Sequence, residues 1–335
     1  MGPTKANVYD LVISKGLCSY CGACVAVCPR GALRLGVDAP EFDREACADC
    51  SLCAKVCPVL NDALPVRELP ARLYVGRAAS EELRRRAQSG GVVTALITYA
   101  LASGLVGAVL ATAGDASEPQ KAVPVVLRSP DEAPAASGSR FSYSPVLALV
   151  PEASRSSASL CVVGLPCHMR ALRLAQERLR GPWLSVKLTI GLLCFGCLPY
   201  SSLRDKLLSE FGVNPAEVER VNVRRGVVIV STRSGAAASA PLREVGGLAG
   251  PACLRCQHFF PPACDVAVGS SGAPDGHSVI IPYTEVGERL VSSASEEGLL
   301  EAQEAGEEVR AELAKLATLK RRRARHRYKS ARHTH

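Results

Sequence analysis

The chain has 335 residues, 47% of them hydrophobic, with a net charge of +8 and fifteen cysteines. That is too apolar for a disordered chain and long enough for more than one core. The longest apolar run, Gly90 to Leu110, is broken by Thr94, Thr98, Ser103 and Gly104, and no charged-then-apolar segment opens the sequence, so neither a membrane span nor a secretory signal is expected. A cytoplasmic chain kept reduced uses so many cysteines for metal ligation, not disulfides.

Two cysteine runs come first: Cys18, Cys21, Cys24 and Cys28-Pro29, then Cys47, Cys50, Cys53 and Cys57-Pro58. Two-residue gaps let three thiolates converge on three corners of a cubane. The proline then ends the turn. This is the spacing of a two-cluster 4Fe–4S ferredoxin, in which the fourth cysteine of each run crosses to the other cluster. One cluster is thus expected on Cys18, Cys21, Cys24 and Cys57, the other on Cys47, Cys50, Cys53 and Cys28. A zinc site would pair two CxxC units across a gap, which this repeat does not do. Residues 31–35 and 41–43 read as short strands beside the clusters, and Pro58, Pro65 and Pro70 mark a linker.

Beyond the linker, strand and helix alternate. Strands are expected at 72–77, 107–112, 123–128, 159–164 and 185–194. Helices are expected from Gln88-Ser89-Gly90-Gly91 to about Ser103, from Leu165 to about Leu179, and from Ser201 to Phe211, the last stopped by Gly212. Residues 129–145 read as loop and 221–232 as a hairpin. The stretch from Ala294 to about Arg323 reads as one long charged helix with Leu299, Leu300, Val309, Leu313 and Leu316 as its apolar positions. The fold class expected is an α/β core, α+β overall once the cluster module is counted, with a β-rich C-terminal part and a long C-terminal helix. The divisions are 1–62 for the module, 63–71 for a linker, 72–180 and 181–293 for two parts of the body, and 294–335 for the helix and tail.

Eight cations, Lys320, Arg321, Arg322, Arg323, Arg325, Arg327, Lys329 and Arg332, equal the whole net charge, so the body is neutral. Such a tail can touch RNA or a membrane surface. With 4% aromatics and no nucleic-acid motif, a solvated helix end with a frayed terminus is the favoured reading, and no nucleic-acid partner is expected.

Two features of the body carry chemistry. Gly90-Gly91 at a helix start exposes backbone N–H groups with no side chain to hold a phosphate away, although paired glycines serve close packing as often. No G-x-G-x-x-G and no Walker lysine accompany them. Gly164-Leu165-Pro166-Cys167 is a tight strand-to-helix turn that presents a cysteine at a sheet mouth, as a cofactor edge, a ligand or a buried structural thiol. Outside the module stand Cys161, Cys167, Cys194, Cys197, Cys253, Cys256 and Cys264. Cys253-x-x-Cys256 is a ligand pair by spacing. With Cys167 and Cys194 at strand ends, it offers four thiolates to a third cluster, the alternative being scattered thiols. His168 and His258 lie nearby and read as satisfied residues.

Gln88 to Thr94, Gly164 to Cys167, Ile190-Gly-Leu-Leu-Cys194, Cys253-Leu-Arg-Cys256 and Asp265 to Ser270 stand in an order that resembles the family of coenzyme F420-reducing hydrogenase/dehydrogenase beta subunits over about residues 72–325. The resemblance implies a flavoprotein oxidoreductase that exchanges a hydride between coenzyme F420 and FAD. Electrons would then pass singly through 4Fe–4S clusters to a redox partner subunit such as a hydrogenase or formate dehydrogenase. Carried over by position, Ser89, Gly90, Gly91 and Thr94, with Gly164 and Pro166, would bind FAD. Cys167, Cys194, Cys253 and Cys256 would hold the flavin-proximal cluster. The chain departs from the family at Gln257-His258-Phe259-Phe260, where an acidic residue is usual, and at Cys264, where a small apolar one is. That leaves the ligand set open between Cys264 and the four. Hydride transfer needs no side-chain acid or base, so no catalytic residue is assigned. The alternatives are an electron-transfer subunit that draws on another hydride donor and a non-enzymatic iron–sulfur module.

Overall fold

A computed structural model describes residues 6–61, 64–224, 226–246 and 249–330. The N-terminal module is two turns of helix, α1 (Ala23–Ala26) and α2 (Leu52–Val56), with an antiparallel ribbon of β1 (Leu33–Arg34) and β2 (Glu41–Phe42). Its two cysteine runs repeat in backbone as in sequence. Tyr20 and Asp49 hold equivalent left-handed positions (φ 50° and 48°), as do Gly22 and Ser51 (φ 86° and 61°). Only Gly22 must be glycine for a second reason: a Cβ there would stand 2.5 Å from Pro145 O and 2.7 Å from Ala148 N.

The body is built on an eight-stranded sheet. Its strands in chain order are β3 (Tyr74–Ala78), β4 (Ala108–Gly114), β5 (Ala122–Leu127), β6 (Leu160–Gly164) and β7 (Val186–Leu192), then, after a separate small sheet, β11 (Val266–Gly269), β12 (Ser278–Pro282) and β13 (Leu300–Glu304). The spatial order is β13-β3-β12-β11-β7-β6-β4-β5. The central four, β11, β7, β6 and β4, run parallel, and the flanking strands pair antiparallel. Parallel strands must be covered on both faces, which explains why β6 reads Leu-Cys-Val-Val-Gly and is buried throughout. The small sheet, β8 (Val218–Arg224), β9 (Val227–Thr232) and β10 (Ala237–Pro241), is an antiparallel meander.

Eleven α-helices appear among the described residues. After α1 and α2, the longer ones are α4 (Val92–Ala102), α6 (Pro166–Arg178), α7 (Tyr200–Ser209), α10 (Glu285–Glu296) and α11 (Glu307–Ser330). The short ones are α3 (Glu81–Arg86), α5 (Val150–Ser156), α8 (Leu242–Gly246) and α9 (Pro251–Arg255). Leu96, Ile97 and Ala100 of α4 cover one face of the large sheet beside Leu290 and Val291 of α10. The other face is covered by Met169 and Leu172 of α6 and by Leu313 and Ala317 of α11. The module's Cys21, Ala23 and Val56 belong to that same core. The small sheet has its own core, Leu203 and Leu207 of α7 against Val218, Val221, Val228 and Val230. No helix among the described residues is long and apolar enough to cross a membrane.

The module is docked by polar contacts as well. Arg170 of α6 donates to Pro58 O, and Arg178 donates to Lys55 O and Asn61 Oδ1 at 2.8 and 2.6 Å. Asp38 caps α7, accepting from the backbone N–H of Tyr200 and from the Ser201 N–H and hydroxyl.

One expectation is corrected. The span from Ala294 to Arg323 is not one helix: α10 ends at Glu296, β13 follows, and α11 begins at Glu307. Gly298, at φ 70°, stops α10, and Leu300 is buried as the first residue of the sheet's edge strand, paired with Ala78. A helical period through Leu299 and Leu300 cannot distinguish that strand from a helix turn. The basic tail is corrected in part: it is helical to Ser330, and Lys320 is buried. The expected frayed end, 331–335, lies outside the described residues.

Candidate redox centres

In the module, Cys18, Cys21, Cys24 and Cys57 line one cavity, and Cys28, Cys47, Cys50 and Cys53 line a second, with Val8 on the wall of both. The cysteines thus group in the crossed-over manner that their spacing implies. Backbone N–H groups point at the sulfurs: Tyr20 N donates to Cys18 Sγ at 3.3 Å and Val8 N to Cys53 Sγ at 3.4 Å. Burial pushes the Cys18 thiol up to about 11 and the Cys21 thiol up to about 12. Thiols packed this closely ionise together only beside a strong positive charge, so the donor set fits an iron–sulfur cluster.

A third cavity lies between module and body. Cys167, Cys194, Cys197, Cys253 and Cys256 all line it. Counted to the solvent at their mouths, the first, second and third cavities enclose about 320, 400 and 500 Å³, so the third is no smaller than the two in the module. Among the described residues no three His, Cys, Asp or Glu side chains converge as a single bound metal ion requires; the cysteines surround a volume. They reach it from distant parts of the chain. Cys167 lies in the first turn of α6, just past β6, and Cys194 lies just past β7, the parallel neighbour of β6. Both therefore stand at the carboxyl ends of adjacent strands, where open α/β sheets place their ligands. Cys253 is in α9, which packs on α11.

The electrostatics of this wall are uneven. Burial pushes Cys167 up and Cys253 up to about 11. Cys194 is instead held below the usual thiol range, first by a hydrogen bond from the Cys197 thiol and then by the nearby charges of Lys320 and Arg323. Lys320 Nζ donates to Cys194 O at 2.6 Å and to His258 O at 2.7 Å. Tyr143 Oη lies 3.9 Å from Cys253 Sγ.

The remaining predicted positions divide clearly. Cys264 stands off the cavity wall: its thiol donates to Pro261 O at 3.3 Å, and it lies under Gly191, where a Cβ would approach Sγ to 3.0 Å. Cys161 is buried in β6 within the opposite core. Pro166 lines the third cavity, whereas Gly164 makes room for His168, whose Nδ1 and Cβ would stand 2.9 and 2.8 Å from an added Cβ. His168 is a satisfied core residue: Nδ1 accepts from Leu165 N at 3.0 Å, and burial lowers its pKa to about 4.

At the start of α4, Gly90 serves packing, since a Cβ would stand 2.7 Å from Gly76 O and 2.9 Å from Ser278 N. Gly91 caps the helix at φ 74°. The Ser89 hydroxyl meets that of Ser278 at 2.9 Å, and the buried Thr94 hydroxyl meets that of Ser137 at 3.1 Å. Gln88 reaches across to Val221 O and Asn222 on the small sheet. What these positions offer a ligand is the backbone of the first helical turn, whose N–H groups have no partner within the helix.

Two residues of the third cavity escape a reading of motifs, Cys197 and Lys320. Cys197 completes a second CxxC with Cys194, a signal present in the sequence. Lys320 falls on the buried stripe Leu313, Ala317, Lys320, Ala324, so its helical spacing marks it as inward-facing.

Three family models match stretches of the chain. Residues 12–61 match a 4Fe–4S dicluster domain. Residues 73–151 and 157–308 match the N-terminal and C-terminal parts of the coenzyme F420 hydrogenase/dehydrogenase beta subunit. The chain is 29% identical over 300 residues to a subunit of the F(420)H(2) dehydrogenase of Methanosarcina mazei, covering 85% of this chain and 84% of that one. It is 33% identical over 231 residues to the coenzyme F420 hydrogenase subunit beta of Methanothermobacter thermautotrophicus, covering 67% and 81%. A chain of the F420-reducing NiFe hydrogenase complex from Methanosarcina barkeri superposes with a TM-score of 0.73 at 28% identity, covering 80% of this chain and 93% of that one. With its crossed cysteine runs, parallel-centred sheet and third cysteine-lined cavity, this chain belongs to the oxidoreductase family of coenzyme F420 hydrogenase/dehydrogenase beta subunits, joined to an N-terminal 4Fe–4S dicluster domain.

Proposed function

We propose that the chain is an iron–sulfur flavoprotein that takes a hydride from reduced coenzyme F420 onto FAD, or returns it, and passes electrons through three 4Fe–4S clusters to a redox partner subunit in the cytoplasm. One cluster sits on Cys18, Cys21, Cys24 and Cys57 and a second on Cys28, Cys47, Cys50 and Cys53. The third sits on Cys167, Cys194, Cys253 and Cys256, with Cys197 as a fifth thiol on the same wall. The observation that carries this reading is the way the cavities adjoin. Ser19, Pro58 and Val59 line both the third cavity and the nearer module cavity, and Val8 lines both module cavities. Cofactors held there form a single file from body to module.

The chain's own residues do the holding and the shielding. The proline after each cysteine run closes the turn, buried apolar walls exclude water, and N–H groups aimed at sulfur favour the reduced state. At the start of α4 the free N–H groups at Gly91 to Thr94 suit an anionic group of FAD, with Ser89 and Gly90 fixing the helix on the sheet. Bound flavin supplies the exchange between hydride and single electrons. A partner is expected because the relatives are themselves named as subunits.

Anaerobic purification with iron, sulfide and FAD counted per chain tests the reading. About twelve irons, four per cubane, and one FAD are expected. About eight irons with no flavin would refute it. With the cofactors present, reduced F420 should drive reduction of a dye acceptor. Failure of that step alone would point to an electron-transfer subunit that draws on a different hydride donor.

A further inference from the structure

We infer that Lys320 and Arg323 are positioning residues of the third cavity: they tie its two cysteine loops together by their carbonyls and raise the reduction potential of the cluster held there. This rests on the cavity being a cluster site. Lys320 is 1% exposed, and among the described residues no carboxylate pairs with it. Its ammonium donates to Cys194 O and His258 O, one carbonyl from each loop. Arg323, one turn further along the same face, repeats the arrangement, donating to Phe195 O and Cys253 O while its guanidinium lies 4.5 Å from the centre of the Phe195 ring.

Each cation therefore bridges 194–195 to 253–258. For Lys320, buried with no carboxylate partner among the described residues, that burial is costly unless an anion completes the site. Lys320 itself lines the cysteine cavity. A thiolate-bound cubane is anionic and gains one negative charge on reduction, so a fixed cation beside it favours the reduced form. Two residues of what looks from composition to be a solvated basic tail thus form part of the redox site.

The test uses the full chain, purified anaerobically, with iron counts and a redox titration followed by electron paramagnetic resonance. Lys320→Met is compared with Lys320→Arg, which keeps the charge, and with Arg322→Met, an equal charge change at an exposed position. Lys320→Met should either lose one cluster alone, about four of twelve irons, or lower one midpoint by about 59 mV, a tenfold change for a one-electron couple. The other two midpoints should not move, and Lys320→Arg should restore the iron count. The inference is overturned if Lys320→Met keeps all its iron and all three midpoints, or if Arg322→Met shifts the same midpoint as far. If Lys320→Met does not fold, Arg323→Gln is read by the same criteria. A wild-type chain with only about eight irons would instead refute the cavity as a cluster site, a result distinct from an unmoved midpoint.

Discussion

The module's cavities and the body's cavity are lined by the same residue type but are assembled differently. In the module, three of four cysteines come from one short run, so the cavity closes over a few residues at small entropic cost. In the body, Cys167, Cys194 and Cys253 arrive from α6, from the end of β7 and from α9, and meet only when the sheet is complete and α11 has docked. A ligand set coded locally depends little on distant packing, whereas one coded by topology inherits every weakness of the fold.

Substitutions can break that contrast. The largest effect is expected from Cys253→Ser: electrons from reduced F420 should no longer reach the module, with dye reduction lost while the module clusters can still be reduced chemically. Cys50→Ser should remove only the far cluster, and a loss of body iron in that variant would contradict the single-file order. Next comes Gly90→Ala, whose Cβ would meet backbone at 2.7 and 2.9 Å. It should cost about 3 kcal/mol by overpacking and lower the denaturant midpoint. Gly104→Ala meets no atom but sits at φ 72°, so it should cost only about 1 kcal/mol; equal costs would mean that Gly90 is not packed as described.

The docking contacts sharpen the comparison at a smaller scale. Arg170→Ala removes a buried donor to Pro58 O, on the wall between module and third cavity, and should cost about 2 kcal/mol and speed proteolysis of the 58–70 segment. Arg178→Ala breaks exposed contacts to Lys55 O and Asn61, and about 0.5 kcal/mol is expected. A reversal of that order, read from proteolysis rates, would locate the docking energy elsewhere.

The same contrast explains what could be read from the chain in advance. The module's ligands are periodic in sequence, so Cys18 to Cys57 announce themselves. The parallel strands are apolar runs bounded by glycine and proline, and β4, β6 and β7 lie within a few residues of where those runs place them. The end of the chain was not legible in this way. Leu299 and Leu300 satisfy a helical period, and only Gly298 and Gly306 on either side hint at a break. The two strands β11 and β12 give no distinctive signal beyond short apolar runs. At the third cavity, the CxxC at 253–256 reads as a ligand pair, yet the other cysteines on that wall are brought there by which strands lie side by side. Lys320 is hidden by its neighbours, because a cation inside a basic run looks solvated until its i, i+3 and i+4 partners are checked for burial.

The most direct test of the central claim, that the body carries a cluster in line with those of the module, is iron and sulfide per chain in the wild-type protein beside Cys253→Ser, both purified anaerobically. About twelve irons falling to about eight, with the module's resonance signals unchanged, is the result expected. About eight irons in both would contradict it and leave the third cavity without a cluster.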